Sequence, residues 1–337
     1  MMAKGHTPRH GSMGYYPRKR ARSIVARVRR WGNLEEVKLL GFAGYKVGTL
    51  HVIKIDDNPN SPFYGQEIFK VGTVIETPPI IVGGVRVYTK TVYGLKTLGE
   101  VWTKDIPKDL ERVFTIPKKE NFHEEQMNKI NSVKDRIDKV RIIAVMQPRL
   151  AGIHKKKPEV FEIEVGGPAK DALEYALVLL GKEVDISKVF SEGDFVDVIS
   201  VTKGKGFAGV VKRFGVKEMP RWHKHRKGSR RIGSVSPQNP AIMRTVPFPG
   251  QLGFHQRTEY HKRILKIGSV DLKEGKDDIN SSGGWPHYGL VRSQYIILEG
   301  TVPGAIKRLV KLRFTIRPIK KQFEKPKIVY ISTKPIS

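Results

Sequence analysis

EVKLLGFAGYKVGTLHVIKIDD, residues Glu36–Asp57, is the stretch that decides the fold class. β-branched and other apolar side chains alternate along it between glycines, with the two-residue period of strands that bury one face. IFKVGTVIETPPIIVGGVRVYTKTVYG, Ile68–Gly94, continues in the same texture. The region reads as short strands of a sheet or barrel, punctuated by glycines and a Pro–Pro pair.

Helical patterning begins only beyond it. Asn121–Val140 opens on Asn121 as a cap and spaces Met127, Ile130, Val133 and Ile137 three to four residues apart, which predicts a helix. Arg141–Gln147 and Phe161–Gly167 read as strands, and Pro168–Gly181 reads as a second helix, started by proline and ended by glycine. Asp194–Thr202 (DFVDVISVT), Ser293–Gly304 and Arg308–Pro318 return to strand character. The expected organisation is mainly β with an α/β insertion. It consists of a basic arm at 1–35, a β domain from 36–95, 187–203 and 289–337, the α/β insertion at 96–186 and a long basic loop at 204–288. No internal repeat is visible.

With 39% hydrophobic residues among 337, the chain can build a core. Cysteine is absent, which removes disulfides, thiolate zinc sites and cysteine nucleophiles. No apolar run approaches the length of a bilayer span, and the basic N-terminal segment lacks the apolar stretch of a signal peptide. A soluble intracellular protein with no membrane partner is expected.

Charge narrows the function. Sixty-two Lys+Arg stand against 33 Asp+Glu, a net +29. Residues 1–30 hold nine basic residues and no acidic one, and residues 203–267 hold sixteen basic residues against Glu218 and Glu259. Between them, 31–202 is balanced at 24 basic and 25 acidic. Charge packed into two blocks suits a polyanion, and neither block has the apolar face of a membrane-surface helix. The arm mixes Gly, Pro, Arg and Lys with few apolar residues, so it is expected to order on its partner.

TKGKGFAGVVKRFG, Thr202–Gly215, contains a G-x-G-x-x-G spacing at Gly204, Gly206 and Gly209. A dinucleotide site needs a long helix after these glycines and an acidic residue about 20 positions on. The sequence offers instead VVKRFG and then KHRKGSRRIG, without a carboxylate. The catalytic elements of a kinase are missing as well. The glycines read better as backbone that approaches phosphates closely, with Lys203, Lys205, Lys212 and Arg213 around them and Phe207 and Phe214 interleaved. RWHKHRKGSRRIG, Arg221–Gly233, strengthens this with cations for phosphate and planar groups for stacking on unpaired bases. His223 and His225 lack the companions of a metal site. Ser236–Arg263, with its prolines, reads as an extended loop, of the kind ordered by a partner.

The alternative reading is an RNA-processing or modifying enzyme that holds substrate with its basic blocks. Its carboxylates would be Asp194 and Asp197, or Asp277 and Asp278. The first pair reads as the solvent-facing side of a strand and the second as turn formers. A metal-dependent nuclease would need a third ligand that the sequence does not supply. A non-specific nucleic-acid compacting protein would not need the large charge-balanced region. No catalytic residue, cofactor, metal or small-molecule substrate is expected.

Five segments carry a resemblance: SMGYYPRKRARS (12–23), TKGKGFAGVVKRFG (202–215), HKHRKGSRRIGSVSP (223–237), GQLGFHQRTEYHKRI (250–264), and INSSGGWPHYGLV with YIILEGTVPGAIKRLV (279–310). In this order they resemble the universal large-subunit ribosomal protein L-three family, in its archaeal and eukaryotic form, over essentially the whole chain. The resemblance implies a translation-factor-like β-barrel on 23S-type rRNA near its 3′ part. It also implies an extended N-terminal arm and a long internal basic loop reaching towards the peptidyl-transferase centre, with ribosomal protein L-fourteen as a neighbour. Arg221 to Arg231 match the basic part of that loop and Gly233 to Pro237 its tip. Val235 and Ser236 depart from the tryptophan and histidine of the eukaryotic tip, so no stacking role is carried over to Val235. The family is structural and not enzymatic, and it works in the cytoplasm on the ribosome.

The candidate rRNA contacts are Arg9, Arg18, Lys19, Arg20, Arg22, Arg29, Arg30 and Trp31 in the arm, and Lys203, Lys205, Lys212 and Arg213 at the loop's start. Arg221, Trp222, His223, Lys224, His225, Arg226, Lys227, Arg230 and Arg231 follow within the loop, with Arg244, Arg257 and Arg263 beyond.

Overall fold

A computed structural model describes residues 10–116, 122–220, 227–233, 235, 238–242, 245–270, 278–317 and 325–333. Among the described residues fourteen strands run in chain order. The first seven are β1 (Gly41–Ile55), β2 (Glu67–Glu76), β3 (Ile80–Thr91), β4 (Gly94–Trp102), β5 (Lys139–Val145), β6 (Val160–Glu164) and β7 (Glu183–Val184). The rest are β8 (Phe195–Val201), β9 (Gly204–Ala208), β10 (Gly250–Gly253), β11 (Gln256–Ser269), β12 (Gln294–Glu299), β13 (Leu309–Phe314) and β14 (Ile328–Ile331). Three α-helices accompany them: α1 (Phe122–Ser132), α2 (Ala169–Val178) and α3 (Val210–Phe214).

One sheet has the order β13-β8-β11-β12-β2-β1-β14, and β13 also pairs with β1. Six strands therefore close a barrel, with β14 attached to the outside of β1. The decisive stretch does most of this. Its first half, Gly41–Tyr45, pairs with β13, Tyr45–Ile55 pairs with β2, and Val52–Lys54 pairs with β14. The first five residues of β1 are all buried and the remainder alternate, so its near-continuous apolar opening marks where both faces are covered. At Gly48 a Cβ would stand 2.6 Å from the Trp285 ring, so only glycine lets that buried indole seat against the strand.

The second sheet has the order β4-β3-β5-β6, with β7 also on β3, and α1 and α2 pack against β4 and β5. One face carries a cross-strand ion ladder. Arg86 donates to Glu100 at 2.8 Å and to Glu162 at 2.5 Å, and Arg141 donates to Glu162 at 3.1 Å and Glu164 at 3.0 Å. Opposite charges facing each other on neighbouring strands fix register as well as adding stability.

Where the barrel hands the chain to this sheet, a carboxylate is fully buried. Glu76 ends β2 and lies opposite Tyr45 of β1 and Tyr295 of β12. Its Oε1 accepts from the Arg292 N–H at 2.7 Å, the Ser293 N–H at 3.0 Å and the Ser293 hydroxyl at 3.1 Å. Its Oε2 accepts from the Gly152 N–H at 2.9 Å and from the Tyr288 hydroxyl. Burial, and then the Glu76 charge, pushes the Tyr288 hydroxyl far above the ordinary tyrosine range, which keeps it a donor.

The mainly β architecture with an α/β insertion is as the sequence predicts, with differences in detail. Ile80–Thr91, expected within the barrel segment, pairs into the second sheet, because Pro78–Pro79 ends the barrel edge directly after Glu76. Gln256–Ser269, expected within the long loop and in its first half read as irregular, is a barrel strand. The prolines that made the segment read as a loop all precede Gly250. The helix expected to Val140 ends at Ser132, and after a short 3₁₀ turn Lys139 already begins β5. Asn121 lies outside the described residues. The second helix follows Pro168 as expected, and Gly181 closes the segment after it with φ +78°. Asp197 is a correction. Expected to face solvent, it is fully buried, because Arg313 of the neighbouring strand reaches it at 3.1 Å and it also accepts from the Ile316 N–H at 3.3 Å.

Glu76→Gln places an amide N–H₂ where only donors converge. It is expected to lower unfolding stability by about 1.5–3 kcal/mol, read from the urea midpoint. The exposed Glu36→Gln is expected to change it by less than about 0.5 kcal/mol.

Candidate nucleic-acid interface

The chain forms two compact units, Met1–Ile24 with Val201–Arg257, and Val25–Ser200 with Thr258–Ser337. The first unit joins most of the two basic blocks. It contains six Lys/Arg from 1–24 and thirteen from 201–257, with Glu218 as its one acidic residue.

The glycines in its sequence have separate structural duties. β9 and β10 pair antiparallel, Gly250 with Ala208 and Gly253 with Gly204. Gly253 has φ +70°, and a Cβ there would lie 2.0 Å from the Lys203 carbonyl, so the backbones touch at the root of the loop. Gly206 takes φ +67° within β9, and Gly209 precedes α3. That helix is five residues long and is stopped by Gly215 at φ +66°. It is too short for the phosphate-binding helix of a dinucleotide site, as the sequence predicts.

The arm lies along this root. The Ala21 N–H donates to the Phe254 carbonyl at 2.8 Å, and His255 Nδ1 meets the Lys19 carbonyl at 2.7 Å. Arg18 lies 4.6 Å from the Phe214 ring, Arg20 lies 5.1 Å from Phe254, and Arg257 lies 4.9 Å from Tyr15. Phe214 is 8% exposed and stacks on Tyr16, whereas Phe207 is 80% exposed. The two phenylalanines of the glycine segment thus divide: one anchors the arm and one faces solvent. An arm expected to order on its partner already has these contacts, supplied by Tyr15, Tyr16, Phe214 and Phe254.

Arg18, Arg213, Arg257 and His255 gather in the same place, and among the described residues no carboxylate pairs with any of them. Arg213 is held by carbonyls instead, donating to Phe248 at 2.7 Å and to Gln251 at 3.0 Å. Burial, and then the neighbouring Arg18 charge, holds the Arg213 and Arg257 guanidiniums below their ordinary values. His255 is 6% exposed and held below the ordinary histidine value, first by burial and then by Arg257, Arg213 and Arg18, while the Lys19 carbonyl acts in the opposite sense. Three guanidiniums thus lie together with no paired carboxylate among the described residues, beside a histidine whose protonation they oppose.

In the same unit Lys19, Arg20, Arg22, Lys203, Lys205, Lys212, Lys227, Arg230 and Arg231 are exposed, and Arg230 lies 3.5 Å from Glu218. Arg29 and Arg30, in the second unit, are also exposed. Trp31 and Arg263 are placed differently from the expectation. Trp31 is 8% exposed in the core, with its ring against Gly41. Arg263 is 4% exposed and forms a two-pronged pair with Asp57 at 2.7 and 2.5 Å. Both side chains are engaged by protein, the indole by a core contact and the guanidinium by a carboxylate. Arg9, Arg221, Trp222, His223, Lys224, His225, Arg226 and Arg244 lie outside the described residues. Val235 is buried at 8% exposure. His255 and Tyr15 were not singled out in the sequence; their signal was the pairing of glycine with aromatic residues in GYYP and GFHQR.

The carboxylates of the enzymatic alternative are occupied where they are described. Asp194 accepts from the Ser191 N–H at 2.9 Å, Asp197 is paired with Arg313, and Asp278 accepts from the Asn280 N–H at 2.8 Å as a turn former. Asp277 lies outside the described residues.

The family model of ribosomal protein L3 matches residues 1–336. The chain is 52% identical to the large ribosomal subunit protein uL3 of Pyrobaculum calidifontis, over 100% of both chains. It is 48% identical to the uL3 protein of Archaeoglobus fulgidus and 49% identical to that of Methanothermobacter thermautotrophicus, in each case over 98% of both chains.

The depressed His255 value has a pH consequence. Above about pH 6.5 the ring is neutral folded or unfolded; as pH falls through that value the unfolded chain takes up a proton that the folded site resists. Stability at the root of the arm is therefore expected to fall as pH drops below about 6.5. A lower protection factor at the Ala21 and His255 amides, with the intrinsic pH dependence of exchange divided out, would report it, and His255→Gln is expected to flatten the dependence.

Proposed function

The chain belongs to the ribosomal protein L3 family, and from that premise we propose that its arm and basic loop grip large-subunit rRNA as one pre-built unit. It is a structural protein of the large ribosomal subunit, and its place is the cytoplasmic ribosome. The observation that carries the proposal is the carboxylate-free gathering of Arg18, Arg213, Arg257 and His255, with exposed Lys203, Lys205 and Lys212 in the same unit. Repulsion among the three guanidinium groups and the nearby ammonium groups is relieved when phosphate groups supply the missing counter-charge, so affinity comes mainly from backbone neutralisation. Exposed Phe207 adds a face for stacking on an unpaired base.

In this reading the role is architectural and not catalytic. The segment Arg221 to Arg231 carries the basic charge of the loop towards the peptidyl-transferase centre, and L-fourteen is a neighbouring protein.

The test is salt dependence. The variant Lys203→Gln/Lys205→Gln/Lys212→Gln is expected to bind a large-subunit rRNA transcript with a log K against log salt slope reduced by about 2–3. Its thermal unfolding is expected to stay unchanged, because all three side chains are exposed. An unchanged slope would refute the assignment.

A further inference from the structure

The β3–β4 hairpin ends in a turn that has no structural need to be apolar. Thr91 and Gly94 are its last paired residues, and the two residues between them, Val92 and Tyr93, are 99% and 101% exposed. Such turns usually draw on glycine, asparagine, aspartate or proline. Here Gly94 supplies the positive φ, +119°, and its carbonyl accepts from the Thr91 hydroxyl at 2.7 Å. Asp138 fixes the base of the hairpin, accepting from the Thr89 hydroxyl at 2.9 Å and the Lys90 N–H at 2.6 Å. None of this uses the side chains of Val92 or Tyr93, and Leu95 beside them is 40% exposed. A well-fixed turn thus presents a ring and two aliphatic groups to solvent against local preference, and departures of this kind gather at functional sites.

Charge selects the partner. Lys90 lies opposite Leu95 and Lys96 opposite Thr89, so one exposed lysine flanks the tip on each face. The segment from Thr89 to Thr97 contains no carboxylate; the one beside it, Asp138, accepts from the Thr89 hydroxyl and the Lys90 backbone N–H, and its charge bears on Lys90 alone of the two lysines. A fully exposed ring, on a turn whose strands carry one lysine on each face, fits an unpaired base with backbone phosphates on either side.

We propose that this hairpin tip is a separate rRNA contact in which Tyr93 stacks on an unpaired base while Lys90 and Lys96 meet the flanking phosphates. The inference rests on the reading of the chain as an rRNA-binding protein. It adds a contact from the charge-balanced region, outside both basic blocks.

The full-length chain carrying Tyr93→Ala or Tyr93→Phe is titrated against the large-subunit rRNA transcript, beside the triple lysine variant. Tyr93→Ala is expected to bind about 5- to 150-fold more weakly and Tyr93→Phe within about 2-fold of the parent, since a phenyl ring still stacks. Thermal unfolding is expected to stay the same for both. If Tyr93→Ala binds like the parent while the triple lysine variant is weakened, the hairpin contact is overturned and the arm-and-loop reading stands. If neither is weakened, both fall. A photoreactive phenylalanine analogue at position 93 in assembled large subunits then identifies the partner. An adduct on rRNA supports the inference; an adduct on a ribosomal protein, or none, overturns it.

Discussion

Glu76 is a buried anion whose direct partners are all neutral. Three backbone N–H groups and two hydroxyls share its charge, and without them a carboxylate at that depth would be strongly unfavourable. Residues 152, 288, 292 and 293 must therefore converge on the end of β2. That convergence fixes where the chain leaves the barrel for the second sheet and where it returns to begin β12. Tyr45, paired opposite Glu76, continues the arrangement outward by donating at 2.6 Å to the buried Glu159. The barrel's closure and the seating of the insertion thus meet at one polar point within an apolar core.

Arginine serves this chain in two opposite ways. On the second sheet Arg86 and Arg141 alternate with Glu100, Glu162 and Glu164, and every charge has its answer inside the protein. In the arm-and-loop unit Arg18, Arg213 and Arg257 are held by carbonyls and aromatic rings, which orient guanidinium groups without neutralising them. The first arrangement makes a rigid surface. The second leaves positive potential for an external polyanion, which is the electrostatic form expected of an RNA-binding protein.

Much of this was legible in the residues. The alternating texture of Glu36–Asp57 identified the barrel strand that three partners share, and the two charge blocks identified the segments that form the basic unit. What escaped has identifiable causes. The β11 strand follows a proline-rich run, and local composition masked a pairing decided by distant strands. Asp197 alternates with apolar neighbours just as a solvent-facing residue would, and Arg313 and the Ile316 N–H, more than a hundred positions away, make its burial tolerable. Trp31 sits next to a run of arginines, yet its ring fills space left by Gly41, a relation invisible without the tertiary structure. Arg263 looked like one more cation in a basic block until Asp57 appeared opposite it.

The root of the long loop has one more consequence. β9 and β10 bring Gly204 and Gly253 together, and the arm binds beside them, so the ends of the intervening segment are joined whatever its length. Closing a flexible loop of twice the length disfavours folding by only about 0.6 kcal/mol more. The stretch between Gly215 and Gly250 can therefore change in length while the β9–β10 pairing at its root keeps its register.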